Sequence, residues 1–184
     1  MRHAFSLVLT GLPIALTVAA LSAAVWALHL SAGNRAIAAL KANRDVAVAA
    51  DAPPPVVLAR MEFLIRQDRL TEAQPLAEAL DGRADPRLRD DAHYNLANAW
   101  LRRGLDLITQ GKVDAAGPFV VLARQEYRRA LTLAPDDWDA KFNLDVASRL
   151  IRDFPAFERT VGDTGQVDRK RLWTDIPGTP RGGP

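Results

Sequence analysis

Cysteine is absent from the 184 residues, and histidine occurs only three times. The first absence excludes disulfides, thiolate nucleophiles, zinc–thiolate sites and a lipid-modified cysteine. It does not exclude residence outside the cytoplasm, where disulfides are optional. The second leaves little from which to build a histidine-based catalytic centre, because His3 and His29 lie beside or within an apolar segment. An excess of either charge is also lacking. Lysine and arginine number 24 against 22 aspartates and glutamates, so composition gives no argument for nucleic acid. Apolar–polar alternation of β-branched residues is missing from 56–151, which leaves helix as the reading for that region.

What is present first is a long apolar run. Aspartate, glutamate, lysine and arginine are absent from 4–34, and 5–30 is its most apolar part. As a helix that part spans roughly 39 Å, against a hydrocarbon core of about 30 Å. Gly11 and Pro13 are tolerated in such helices. A cleavable signal has a shorter apolar region, about 7–15 residues, ending at a small-x-small site. The best such site here, at 22–24, is followed by more apolar sequence and Trp26. Residues 1–34 are therefore expected to be an uncleaved transmembrane anchor. Arg2 precedes it while Arg35, Lys41 and Arg44 follow it, so positive charge does not favour a cytoplasmic start.

The remainder divides by composition. Residues 35–55 read as a helical stalk to Ala50, then an extended polyproline-like linker through Pro53, Pro54 and Pro55. Residues 56–159 read as an all-helical domain. Turns are expected at 67–69, 81–86 and 134–137, with Asp85 and Asp137 as caps and Pro86 in a first helical position. Residues 160–184 hold five of the eleven glycines and three of the twelve prolines. They are expected to form an extended tail. The fold class is all-α.

A repeat lies inside the domain. Ala92, Tyr94, Asn95 and Leu96 recur as Ala140, Phe142, Asn143 and Leu144. His93, Leu96, Ala97, Trp100 and Gly104 share one helical face, and the small Ala97 allows a second helix to come close. The first block resembles the opening helix of a tetratricopeptide repeat. Leu96, Ala97 and Trp100 stand at that family's Leu, small and aromatic positions, and Gly104 at its turn. Tyr127, Ala130 and Pro135 match the end of the second helix. The Asn95-to-Asn143 interval is 48 residues where the family's period is 34, and the surplus is expected between Gly104 and Tyr127. Residues 62–80 admit either a degenerate earlier repeat or an ordinary helical pair. Asp145 falls at the small position of the second block. Burying a carboxylate there would cost several kcal/mol, so the helix from Trp138 is read as a terminal cap.

Catalytic chemistry is hard to assemble. Asp136, Asp137 and Asp139 lack the spacing, central glycine and distant glutamate of a calcium loop, and capping explains them. The glycines after Gly178 precede no helix and no Lys-Ser/Thr pair, so they form no phosphate loop. The pairs Arg102–Arg103 and Arg128–Arg129, and the run 169–171, read as solvated faces. No catalytic, metal or cofactor residues are expected.

Trp173, Ile176, Pro177 and Arg181, in a polar stretch punctuated by proline and glycine, are the candidate partner-binding residues, because large apolar groups there need something to pack on. They can fold back on the chain or dock on a partner. Taken with the N-terminal anchor, the run Trp138-Asp-Ala-Lys-Phe-Asn-Leu144, the run Arg149-Leu-Ile-Arg152, Trp173 and the run 177–182, the layout resembles the MxaK family of methylotrophic bacteria. Gly183 departs from it, since the family usually has a bulkier apolar residue near the last Gly-Pro. The resemblance implies a non-enzymatic accessory protein of the inner membrane, facing the periplasm, that assists metal loading and assembly of methanol dehydrogenase. It implies partners with von Willebrand factor A domains and a MoxR-type ATPase. A general envelope-assembly adaptor with an unrelated client is the other reading.

Overall fold

The computed structural model describes residues 2–154 and 157, with 2–15 and 29 described by backbone alone. Six α-helices and no strand occur among the described residues. They are α1 (Arg2–Lys41), α2 (Pro54–Arg66), α3 (Leu70–Asp81), α4 (Pro86–Thr109), α5 (Val113–Leu133) and α6 (Trp138–Asp153). The chain is all-α, as its pattern indicates.

Local chemistry sets the helix ends. Asp85 Oδ1 accepts from the N–H groups of Arg87 and Leu88 at 3.0 and 3.1 Å, and Asp137 Oδ1 accepts from Asp139 and Ala140. Each satisfies donors that have no partner inside the helix. Helices α1, α2 and α4 all stop the same way. Asn43, Asp68 and Gly111 take φ values of 60°, 57° and 75°. In each case the next residue's N–H reaches five back, to Ala39, Leu64 and Leu107, at 2.9 Å. This is the left-handed stop that Gly and Asn favour and Asp accepts, and it closes the last carbonyls.

Two expectations about 35–55 are corrected here. The stalk helix ends at Lys41, because Asn43 turns the chain and residues 44–49 run without helix. The prolines do not form an extended linker. Pro53 precedes α2, and Pro54 and Pro55 open it, where a missing N–H costs nothing and the ring presets φ. The connecting segment is packed. Val46, Val48 and Ala52 lie against the core, and Arg83 donates to the carbonyls of Ala50 and Ala52 at 2.5 Å each. Asp45 pairs with Arg60 and with Arg69. At the top of α1, Leu40 is fully buried in the core, a contribution of about 2 kcal/mol.

Helices α2 and α3 form one hairpin and α4 and α5 a second, with α6 packed on α5. The paired turns have nearly identical backbones, since Arg69 sits at φ −92°, ψ 56° and Lys112 at φ −91°, ψ 55°. This exposes the true repeat. Gln67, Arg69, Ala73 and Pro75 correspond to Gln110, Lys112, Ala116 and Pro118, a shift of 43 residues. The pattern Leu58, Met61, Leu64, Ile65 recurs as Leu101, Gly104, Leu107, Ile108 and again as Leu144, Ala147, Leu150, Ile151. The 48-residue alignment is therefore replaced by one of 43. The second pair is the longer, with 24 and 21 residues in α4 and α5 against 13 and 12 in α2 and α3.

Gly104 is not at a turn, as the repeat alignment had it, but inside α4, five residues before its end. A Cβ there would sit 2.7 Å from Val120 Cγ2 on α5, so the absent side chain sets how closely the two helices approach. Gly117 plays the same part for Phe157, whose Cα is 3.0 Å from the position a Cβ would take. His93, Leu96, Ala97, Trp100 and Gly104 are all buried, as are Tyr127 and Ala130. Trp100 stacks on Phe119 at 5.6 Å. Pro135 lies exposed just after α5, and Asp145 is exposed and pairs with Arg149 at 2.8 Å. No buried carboxylate arises at Asp145, because among the described residues no helix packs on the face of α6 that carries it.

Gly104→Ala is expected to lower the melting temperature even though alanine favours helix by about 1 kcal/mol, because the β-branched side chain of Val120 is stiff about χ1 and cannot easily move its Cγ2 away. Gly82→Ala, with nothing within 4 Å, is the control and should be neutral or stabilising. Ala97→Leu should cost about 1–3 kcal/mol. Thermal denaturation of the full chain in detergent reads all three, and an unchanged Gly104→Ala would show that the helices have room to spare.

Candidate partner-binding surfaces

Buried polar groups first lock the helices whose outer faces form the site. His93 is 1% exposed. Its Nδ1 lies 2.7 Å from Glu126 Oε2 on α5, and its Nε2 lies 2.8 Å from Asp81 Oδ1 at the end of α3. Each ring nitrogen faces a carboxylate oxygen, so the protonated ring can donate from both sides at once. Burial opposes that charge, but hydrogen bonds to Glu126 and then Asp81 outweigh it and raise the histidine pKa. Asp81 is desolvated as well, yet His93 and Arg89 hold it below the usual carboxylate range. Arg89 approaches Asp81 at 3.6 Å and Arg129 approaches Glu126 at 3.2 Å. One ring thus joins α3, α4 and α5.

Asn98 is the second lock. Its Oδ1 accepts from the Tyr127 hydroxyl at 2.5 Å and from Asn143 Nδ2 at 3.0 Å, joining α4, α5 and α6. Burial pushes the Tyr127 phenol pKa up, so it remains a donor. Tyr127 also meets Tyr94 edge-on at 6.2 Å. Asn143 thus donates to Asn98, one turn beyond Asn95 on α4.

Two surfaces stand on this frame. The first is a shallow groove of about 280 Å³ between α2 and α4, lined by Glu62, Ile65, Arg66, Asn95, Asn98 and Arg102. Arg66 donates to the Leu40 carbonyl at 2.9 Å, which ties one wall to the end of α1. The amides and guanidinium groups are suited to the carbonyls and carboxylates of an extended peptide. The second is the outer face of α6. Trp138 is 78% exposed and Phe142 68% exposed, with Lys141 Nζ 4.8 Å from the Trp138 ring centroid. Sequence reading used both aromatics only as repeat and family markers. Their i, i+4 spacing opposite the buried Ala140, Ala147 and Ile151 was the available signal.

Trp173, Ile176, Pro177 and Arg181, expected to bind a partner, lie outside the described residues. No group of three or more histidine, aspartate or glutamate side chains suited to a metal occurs among the described residues. Known proteins supply no match. Neither protein-family profiles, nor curated proteins, nor solved structures resemble this chain closely enough to align with it. Its surfaces must therefore speak from their own chemistry.

The His93 cluster carries a pH signature. A raised histidine pKa adds stability that is complete below the unfolded value of about 6.5 and is lost as pH rises through the folded one. The lowered Asp81 pKa adds stability that is lost as pH falls below about 3.9. The melting temperature should therefore fall as pH is raised from about 6 to about 9. His93→Gln should lower it at pH 6 and flatten the alkaline limb. A wild-type profile as flat as the variant's would mean the ring is neutral.

Proposed function

We propose that this chain is a non-enzymatic adaptor, anchored once in the inner membrane by α1, with its helical domain in the periplasm. The observation that carries the reading is the continuity between apolar helix and domain. Residues Leu16–Lys41 include a stretch long and apolar enough to cross a membrane. Leu21, Val25, Trp26 and Leu28 on it are all more than 60% exposed, a costly display in water and a favourable one in lipid. The same helix ends inside the domain core at Leu40. Ten residues separate Leu30 from Leu40, about 15 Å of helix. The α2–α4 groove would thus be presented close to the bilayer surface.

The hairpins are read as tetratricopeptide-like, with longer helices and a 43-residue period, and α6 as the cap. The client comes from the resemblance to the MxaK family. In that reading the adaptor assists metal loading and assembly of methanol dehydrogenase, beside membrane proteins with von Willebrand factor A domains and a MoxR-type ATPase. The tail around Trp173 and Ile176 is the docking peptide. The alternative keeps the architecture and gives the adaptor another envelope client.

N-terminal sequencing of the membrane-extracted protein should find Met1 or Arg2, whereas a mature start near Val25 would make the segment a cleaved signal. A reporter fused after Pro184 should be active in the periplasm, and cytoplasmic activity would reverse the orientation. Deletion of the gene should impair growth on methanol and spare growth on succinate; equal growth on both favours the alternative client. Trp173→Ala should leave the melting temperature unchanged while weakening co-purification of the membrane partners. A large fall in melting temperature would instead place Trp173 on its own helices.

A further inference from the structure

The imidazole of His93 touches both hairpins. Its Nε2 faces Asp81 at the end of α3, in the first, and its Nδ1 faces Glu126 on α5, in the second. Two other polar links from the second hairpin to the first, Arg89 to Asp81 and Arg103 to Asp68, are longer, at 3.6 Å each. The two carboxylates differ in their access to water. The Glu126 side chain is 4% exposed and that of Asp81 39% exposed. A neutral ring carries a single N–H, so it serves one carboxylate and turns a lone pair on the other. Leaving buried Glu126 without that donor is the costlier loss. Asp81 can turn to water instead, with Arg89 beside it. The remaining proton therefore belongs on Nδ1, and the contact that deprotonation removes is the one between the hairpins.

Charged groups around the ring come from three helices. Asp81 is on α3, Glu126 and Arg129 are on α5, and Arg89 and Asp90 are on α4 itself. Helices α2 and α6 also pack on α4, but among the described residues neither brings a charged side chain into contact with the ring. The chain between the hairpins is short. Arg83 is held to the carbonyls of Ala50 and Ala52 on the first side, and Asp85 caps α4 on the second. Movement there carries α2 and the end of α1 against α4 and α6. The groove lies across that division, with Glu62, Ile65 and Arg66 on one wall and Asn95, Asn98 and Arg102 on the other. We propose that His93 is a proton-operated latch: doubly protonated it ties the first hairpin to the second, and loss of the Nε2 proton frees Asp81 and lets the hairpins move apart, changing the groove between them. The apolar core that they share keeps them associated when the latch is open. The facing carboxylates favour the charged ring, which places the release on the alkaline side of the ordinary histidine value of about 6.5. The inference stands apart from the membrane side and from any client.

Double electron–electron resonance on the spin-labelled full-length protein in detergent tests it, and the absence of native cysteine leaves the label positions free to choose. Thr71→Cys with Gln125→Cys reports between the hairpins, and Asp106→Cys with Gln125→Cys reports within the second. All three positions are exposed. Raising the pH from about 6 to about 9 should lengthen and broaden the first distance and leave the second unchanged. Returning to pH 6 should reverse the change. The α-amino group, His3 and His29 titrate in the same range and are intact in every variant. His93→Gln should give the long, broad distribution at both pH values. Asp81→Asn separates the proton from mere packing, because an asparagine amide can donate to the bare Nε2. Its first distance should stay short and narrow at pH 9. A first distance in the unmutated cluster that ignores pH overturns the proposal. Parallel change in the second distance also overturns it, since the whole domain would then be loosening. An Asp81→Asn protein that responds to pH as the parent does removes Asp81 from the latch and the proposal with it. Should His93→Gln fail to fold, the parent and Asp81→Asn still decide the matter.

Discussion

How near α4 comes to α5 decides the geometry of everything stacked on them. Gly104 lets Val120 sit where a methyl group would otherwise be, and the small buried residues Ala97, Ala116 and Ala123 continue that approach along the hairpin. Close backbones make the side-chain reach short. That is why one imidazole can touch carboxylates on α3 and α5, and why one asparagine oxygen can serve donors on α5 and α6. Apolar packing supplies the stability, while these polar contacts select one arrangement among the many that small residues would tolerate.

The polar contacts carry a cost. An imidazolium and a carboxylate brought out of water lose several kcal/mol of hydration between them, and their attraction returns it only if the geometry is right. Here Glu126 is shared between His93 and Arg129, and Asp81 between His93 and Arg89, so each carboxylate keeps a solvent-side cation as well as the buried one. The cluster also sits at the junction of the two hairpins. Disturbing it would loosen the hold of the first hairpin on the second without unfolding either.

Much of this was legible in the sequence. The all-helical class, the caps at Asp85 and Asp137 and the shared face from His93 to Gly104 follow from local chemistry and 3.6-residue periodicity, which do not depend on distant contacts. The repeat length was misjudged because shared Asn and aromatic residues around 95 and 143 outweighed the better-spaced pattern of a Leu followed six residues later by Leu-Ile, whose members are too common to stand out singly. The stalk failed for a different reason. Alanine-rich sequence favours helix at every position, and only the packing of Val46 and Val48 on the core and the pairing of Asp45 with Arg60 and Arg69 reward leaving it. The partners of His93 lie 12 and 33 residues away, and no local rule names them.

The ending of α1 has a mechanical consequence. A domain on a loose tether can tumble and present any side to a neighbour. Leu40 belongs to the last turn of α1 and to the core at once, and Arg66 clamps the carbonyl at that same residue. No swivel intervenes. Tilt or spin at the end of α1 bears directly on α2, the helix it packs against, and so on the groove that α2 lines. Leverage runs the other way too: a pull on the domain arrives at the far end of α1 as torque.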